Sequence, residues 1–134
     1  MGAYIEVIAV QRPHPVSLDA ENRVLFSVNF DAFALAPVAD WEGDIADYLH
    51  AQVPPLATRN VDTFTGPGVK MPPGGGPYLN IIDSGGNASV FTQDDVKYER
   101  LSAQIVVRAT EYTVARARAI AVWRALDGLR NVTM

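Results

Sequence analysis

Polar and apolar residues alternate almost without fault from Arg100 to Thr110. Leu101, Ala103, Ile105, Val107 and Ala109 take one side. Arg100, Ser102, Gln104, Arg108 and Thr110 take the other, and Val106 is the single apolar intruder. A period of two predicts a strand with one face in a core. The spacing then lengthens. Tyr112, Ala115, Ala119, Trp123 and Leu126 recur at steps of three and four, with Ile120 alongside, and predict a helix over 111–127. Thr110 suits its N-cap, Glu111 its first turn, and Gly128 stands where a helix stops.

The same reading covers the rest of the chain. Ile5, Val7, Ile8 and Val10 predict a strand that Pro13 and Pro15 end, since neither proline can donate to a ladder. After a turn-like stretch, Val24, Phe26, Val28, Phe30 and Ala32 alternate with Ser27, Asn29 and Asp31. Residues 3–33 are therefore expected to form a β-hairpin with a long connection. Ala34 to Ala39 is a connection, Asp40 an N-cap, and Trp41, Ile45, Tyr48 and Leu49 the apolar face of a helix over 40–53. Pro54-Pro55 stops that helix, and Gly43 weakens its start by up to about 1 kcal/mol relative to Ala. Further strands are expected over 61–65, 78–84 and 99–110. Between the first two lies Gly66 to Pro77, in which nine of twelve residues are Gly or Pro, a composition that excludes regular structure. Gly85-Gly86 opens a polar excursion to about Lys97, and Asn131 to Met134 is a short tail. The expected fold is one α+β domain: an antiparallel or mixed sheet of about four to five strands, with two helices packed on one face.

Composition narrows the function. The 134 residues are 49% hydrophobic and carry a net charge of −4, which does not fit a general nucleic-acid binder. No apolar run is long enough to span a membrane, and the first residues lack the basic start and cleavage pattern of a signal peptide. With no cysteine, thiolate chemistry and disulfides are absent. The charges are segregated. Asp40, Glu42, Asp44 and Asp47 crowd one stretch, while Arg108, Arg116, Arg118, Arg124 and Arg130 dominate the C-terminal third. Such segregation serves either contacts between partners or the stability of each helix alone.

Chemistry is hard to find. His14 and His50 have no metal-ligand spacing. Asp83, Asp94 and Asp95 read as a solvated loop tip before a cation site. Ser84-Gly85-Gly86 is not a nucleophile elbow, and Met71 stands where a dinucleotide loop needs its third glycine. No catalytic residue, cofactor or metal is expected. Arg116 and Arg124 fall within a quarter turn of each other, and Arg118 points nearly opposite Arg116, so one of these two is expected close to the core edge and in need of a partner.

One succession of segments has a familiar look. A helix ends in Pro54-Pro55; then come Phe64-Thr65-Gly66, Met71-Pro72, Tyr78-Leu79-Asn80-Ile81-Ile82-Asp83-Ser84-Gly85-Gly86, the strand from Gln104 to Ala109, and an Ala-rich helix closing on Leu126-Asp127-Gly128-Leu129. The order and spacing resemble the tail-terminator (minor capsid) proteins of tailed bacteriophages, over roughly Asp40 to Leu129. In that family a C-terminal hairpin usually follows the long helix. Here a hairpin stands first, so the order looks circularly permuted, and joining Thr133 to Gly2 would restore it. The resemblance implies a non-enzymatic virion protein, assembled in the host cytoplasm. It implies a homo-oligomeric ring, commonly a hexamer, at the head-proximal end of the tail, touching the tail tube protein and the connector. DNA would pass through the lumen unread, with no membrane involved. A head-closure or other neck adaptor protein, or a non-viral monomeric binding module, are the alternatives. Interface candidates are Asp40, Glu42, Asp44, Asp47, Lys70, Met71, Arg100, Arg108, Arg116, Arg118 and Arg124. Arg100 and Arg108, on the strand's outer face, would meet either DNA phosphates or a neighbour's acids.

Overall fold

The computed structural model describes residues 2–34, 38–66, 71–91 and 97–134, with the backbone alone at 86–91 and 97–98. In chain order the elements are β1 (Ala3–Ala9), β2 (His14–Leu18), β3 (Val24–Ala34), α1 (Trp41–His50), β4 (Thr63–Thr65), β5 (Tyr78–Phe91), β6 (Lys97–Ala109), α2 (Tyr112–Leu126) and β7 (Leu129–Thr133). One sheet runs β4-β5-β6-β3-β1-β7, and β2 adds to β3 beside β1. Among the described strands only β4 and β5 pair in parallel, so the sheet is mixed and the fold α+β.

Alternation in the sequence becomes a core here. Phe26, Val28, Phe30 and Ala32 of β3 lie in register with Val107, Ile105, Ala103 and Leu101 of β6. Leu79 and Ile81 of β5 continue the same face beside Val107 and Ile105. Trp41, Ile45, Ala46 and Leu49 of α1 and Ala115, Ala119, Val122 and Leu126 of α2 join this one cluster. Two alanines on the buried side of α2 let its backbone approach the sheet closely, because helix packing distance follows side-chain size.

The sheet has seven strands, not four to five. One addition is β2, where Pro13 and Pro15 were expected to end the strand. Pro15 is tolerated because β2 pairs on one side with β3, where a bulge follows it, and carries its missing donor at an edge. Another is β7, expected as a tail, which pairs with β1 from Ala3↔Thr133 to Val7↔Leu129. The polar excursion after Gly85 is also largely ladder. β5 and β6 stay paired to Phe91↔Lys97, with two irregularities that absorb Ser84 and the residues after Asn87. On α2, Ala115, Ala119 and Leu126 are buried as the stripe predicts, but Val122 is buried where Trp123 was expected; Trp123 is half-buried and Tyr112 is 51% exposed with its ring 5.3 Å from that of Phe26. Gly128 has φ +82°, the left-handed geometry that ends a helix, and its N–H donates to the Val7 carbonyl at 2.8 Å.

At α1, Asp40 is the N-cap, accepting the Gly43 N–H at 2.9 Å. Gly43 belongs to the first turn, and a Cβ there would lie 2.1 Å from Oδ2 of Asp40. Gly43→Ala is therefore expected to destabilise the fold by about 1 kcal/mol through loss of the cap, although helix propensity alone favours Ala by a similar amount. Urea unfolding measures the sign, and a stabilised variant would contradict the capping geometry.

Candidate functional site

The acidic stretch at the start of α1 divides into inward and outward groups. Asp44 is buried and accepts the Tyr4 hydroxyl at 2.5 Å, tying α1 to β1, so it is not offered to a neighbour. Burial first, and then donation to that carboxylate, pushes the Tyr4 hydroxyl well above its ordinary range. Asp40 and Asp47 are outward, and both reach Arg59, at 3.5 and 3.6 Å. All three side chains are substantially exposed, so these pairs add little stability. With Glu42 half-buried beside them, the surface keeps an excess of negative charge.

Arg100 has an acid within its own chain, contrary to the expectation from sequence. Its Nη2 donates to Asp31 at 2.7 Å, and its guanidinium lies 5.8 Å from the Phe33 ring centre. Asp31 also accepts the Ser102 hydroxyl at 2.7 Å, and Gln104 donates to the Ser27 hydroxyl at 3.0 Å. The antiparallel register between β3 and β6 sets Asp31 directly across from Ser102 and diagonal to Arg100. Burial opposes ionisation of Asp31, yet the bonds from Arg100 and Ser102 outweigh it and hold the carboxyl below its usual range.

Arg108 is also turned inward. It is 7% exposed, donates to the Pro72 carbonyl, and lies 5.3 Å from the Tyr78 ring centre. Burial, then the nearby Arg23 charge, lowers its pKa. It anchors the Gly/Pro-rich connection to the sheet and presents no free cation. Met71, next to that anchor, is half-buried. Lys70, Asp94 and Asp95 lie outside the described residues.

On α2 the arginines separate as the helical wheel implies. Arg118 turns inward and donates to the Leu56 carbonyl at 2.7 Å. Arg116 and Arg124 share the opposite face, exposed, and line one cleft with Ile120 and Trp123. Arg12 completes that cleft from the connection between β1 and β2, its guanidinium 5.4 Å from the Trp123 ring centre. Sequence reasoning missed Arg12. It sits in a connection without periodicity, and only the fold brings it to α2.

Among the described residues no three His, Asp or Glu side chains gather to hold a metal. Asp83 instead accepts the Gly85 N–H at 2.8 Å within its own turn. His50 makes a 3.0 Å contact with the Ala57 carbonyl and helps close the chain after α1. Nor is any described helix long and apolar enough to cross a membrane. No family model, curated protein or solved structure matches this chain.

The Asp31 cluster carries a pH signature. A carboxyl that titrates lower in the folded chain than in the unfolded one contributes fully above about pH 4 and loses that contribution as the pH falls through its depressed value. Asp31→Asn is expected to lower the urea midpoint at neutral pH and to differ much less from wild type near pH 2. Equal losses at both pH values would refute the assignment.

Proposed function

We propose that this chain is a ring-forming structural subunit of a bacteriophage tail, of the tail-terminator kind. In this role it caps the tail tube at its head-proximal end and joins the tube to the connector, without enzymatic activity or cofactor. The observation that carries the reading is the pairing of β7, which follows α2, with β1. Gly2 N–H donates to the Met134 carbonyl and Met134 N–H to the Gly2 carbonyl, each at 2.9 Å. β7 continues directly into this pairing with β1. In space, α2 is therefore followed by β7 and β1 and then by β3. That is the helix-then-hairpin succession a permuted terminator order requires.

Other features suit a ring. A closed ring of identical subunits joins two different patches, one from each neighbour. The acid-rich start of α1 and the Arg116–Arg124 face of α2 are two such patches of opposite sign. Six copies would enclose a lumen through which DNA passes without base readout, and the subunits would gather in the host cytoplasm before joining the virion. One observation favours a second reading, a neck adaptor or a monomeric binding module. Arg59 already lies near both Asp40 and Asp47, so part of the acidic patch is answered within the chain.

Electron microscopy of the purified protein, alone and mixed with tail tubes, separates these readings. The expected outcome is closed rings with a central hole, seated on tube ends. A species that sediments strictly as a monomer at high concentration and ignores tube ends would overturn the ring.

A further inference from the structure

A cleft of about 360 Å³ lies between the β1–β2 connection and the outer face of α2. Arg12 and Pro13 form one wall; Arg116, Ile120, Trp123 and Arg124 form the other. Three guanidinium groups line it, and no carboxylate does. Among the described residues, Arg23, Arg59 and Arg100 have acidic partners, and Arg108 and Arg118 donate to carbonyls. None of Arg12, Arg116 and Arg124 has an ion pair there. Three unanswered cations beside an apolar floor form a focused positive potential on a chain whose net charge is −4. The Arg12 guanidinium also lies over the Trp123 ring, in reach of a cation–π contact.

The spacing specifies what fits. Arg116 and Arg124 are eight helical residues apart, about 12 Å along the axis. Ile120 and Trp123 lie between them on the same face. A matching ligand carries anions at both ends and an apolar group in the middle. In an extended peptide, residues i, i+2 and i+4 share one side, and i to i+4 spans about 13 Å. Carboxylates at i and i+4 then reach the two arginines in charge-assisted hydrogen bonds, while an apolar side chain at i+2 meets Ile120, beside Trp123. A nucleic-acid strand supplies the anions but needs an open aromatic face for its bases. Arg12 already covers the face of Trp123, and Ile120 and Pro13 give a base nothing to stack on.

We propose that this cleft binds an extended acidic segment of a partner protein, with two carboxylates four residues apart and an apolar residue midway. The inference does not depend on ring formation, and it stands or falls on a different measurement. Of the two tryptophans, Trp41 is 3% exposed in the core, so a fluorescence change on ligand binding reports Trp123.

The full-length protein is titrated with a terminally blocked peptide built on a Glu-Ser-Leu-Ser-Glu repeat. The same peptide with glutamine for glutamate, and single-stranded oligothymidylate, serve as comparisons. Saturable quenching or a shift in emission is expected with the glutamate peptide, at least tenfold weaker with the glutamine peptide. The double variant R116E/R124E is expected to bind at least tenfold more weakly, and the single variant R124E to fall between. R130E, which alters an exposed arginine outside the cleft, should bind within twofold of wild type. Circular dichroism confirms that each variant is folded, as expected for exposed positions. The proposal is overturned by an absent response, by equal binding of the glutamine peptide, by a double variant that binds like wild type, or by tighter binding of oligothymidylate.

Discussion

Eleven residue pairs, from Val24↔Ala109 to Ala34↔Glu99, zip β3 to β6 along the whole length of β3. Because side chains alternate, this register decides both faces of the sheet at once. On one face it stacks Phe26, Val28 and Phe30 beside Val107, Ile105 and Ala103, part of the one core cluster that both helices join. On the other it sets Asp31 across from Ser102 and Ser27 near Gln104, so that polar groups cut off from water find partners. A slip by one residue would put Asp31 and Ser27 into the core and expose the phenylalanines. Apolar burial and polar satisfaction thus select the same pairing, and neither face tolerates a compromise for the other.

The remaining strands attach to this pair by different means. β5 extends the core face, and β4 adds a short parallel margin. β1 and β2 divide the far edge of β3 between them, β1 along Phe30–Phe33 and β2 along Val24–Ser27. Only β1 is driven by burial, through Tyr4 and Val7. Every residue of β2 is exposed, so backbone pairing and the Asp19–Arg23 turn hold it. In that turn Asp19 accepts the N–H groups of Glu21 and Arg23 as well as the Arg23 side chain. The charged residues sort along the same lines. Those near the sheet, Arg100 and Arg108, are engaged within the chain, while Arg116 and Arg124 face away from it.

Legibility in the sequence followed the separation of polar from apolar residues. β3, β6, α1 and α2 each set apolar residues on one side and polar ones on the other, and each could be read from spacing, down to the Asp40 cap. β2 and β7 could not. Val16 and Leu18 are more than half exposed, and β7 is exposed or half-buried throughout, so no alternation marks either strand. Trp123 looked like core because its spacing from Ala119 suits a helical stripe. Val122 suits the same stripe almost equally, and the sheet's position chose between them. Arg116 and Arg124 could be placed on one face from helical geometry alone. Arg12 beside them, and Asp31 beside Arg100, depend on which strand lies next to which, a long-range relation that spacing does not encode.

The pairing of β1 with β7 also bears on when this domain is finished. β1 comes off the ribosome well before its outer partner β7. The β3–β6 ladder can close once β6 has emerged, but the edge beyond β1 must wait for Leu129 to Thr133. Until then one edge of β1 stands open, its unpaired N–H and C=O groups available to any passing strand. Residues that must wait so long for their partners make slow folding contacts. β7, made after β1, thus shields it, and a ribosome stalled inside α2 would leave this sheet with an adhesive margin.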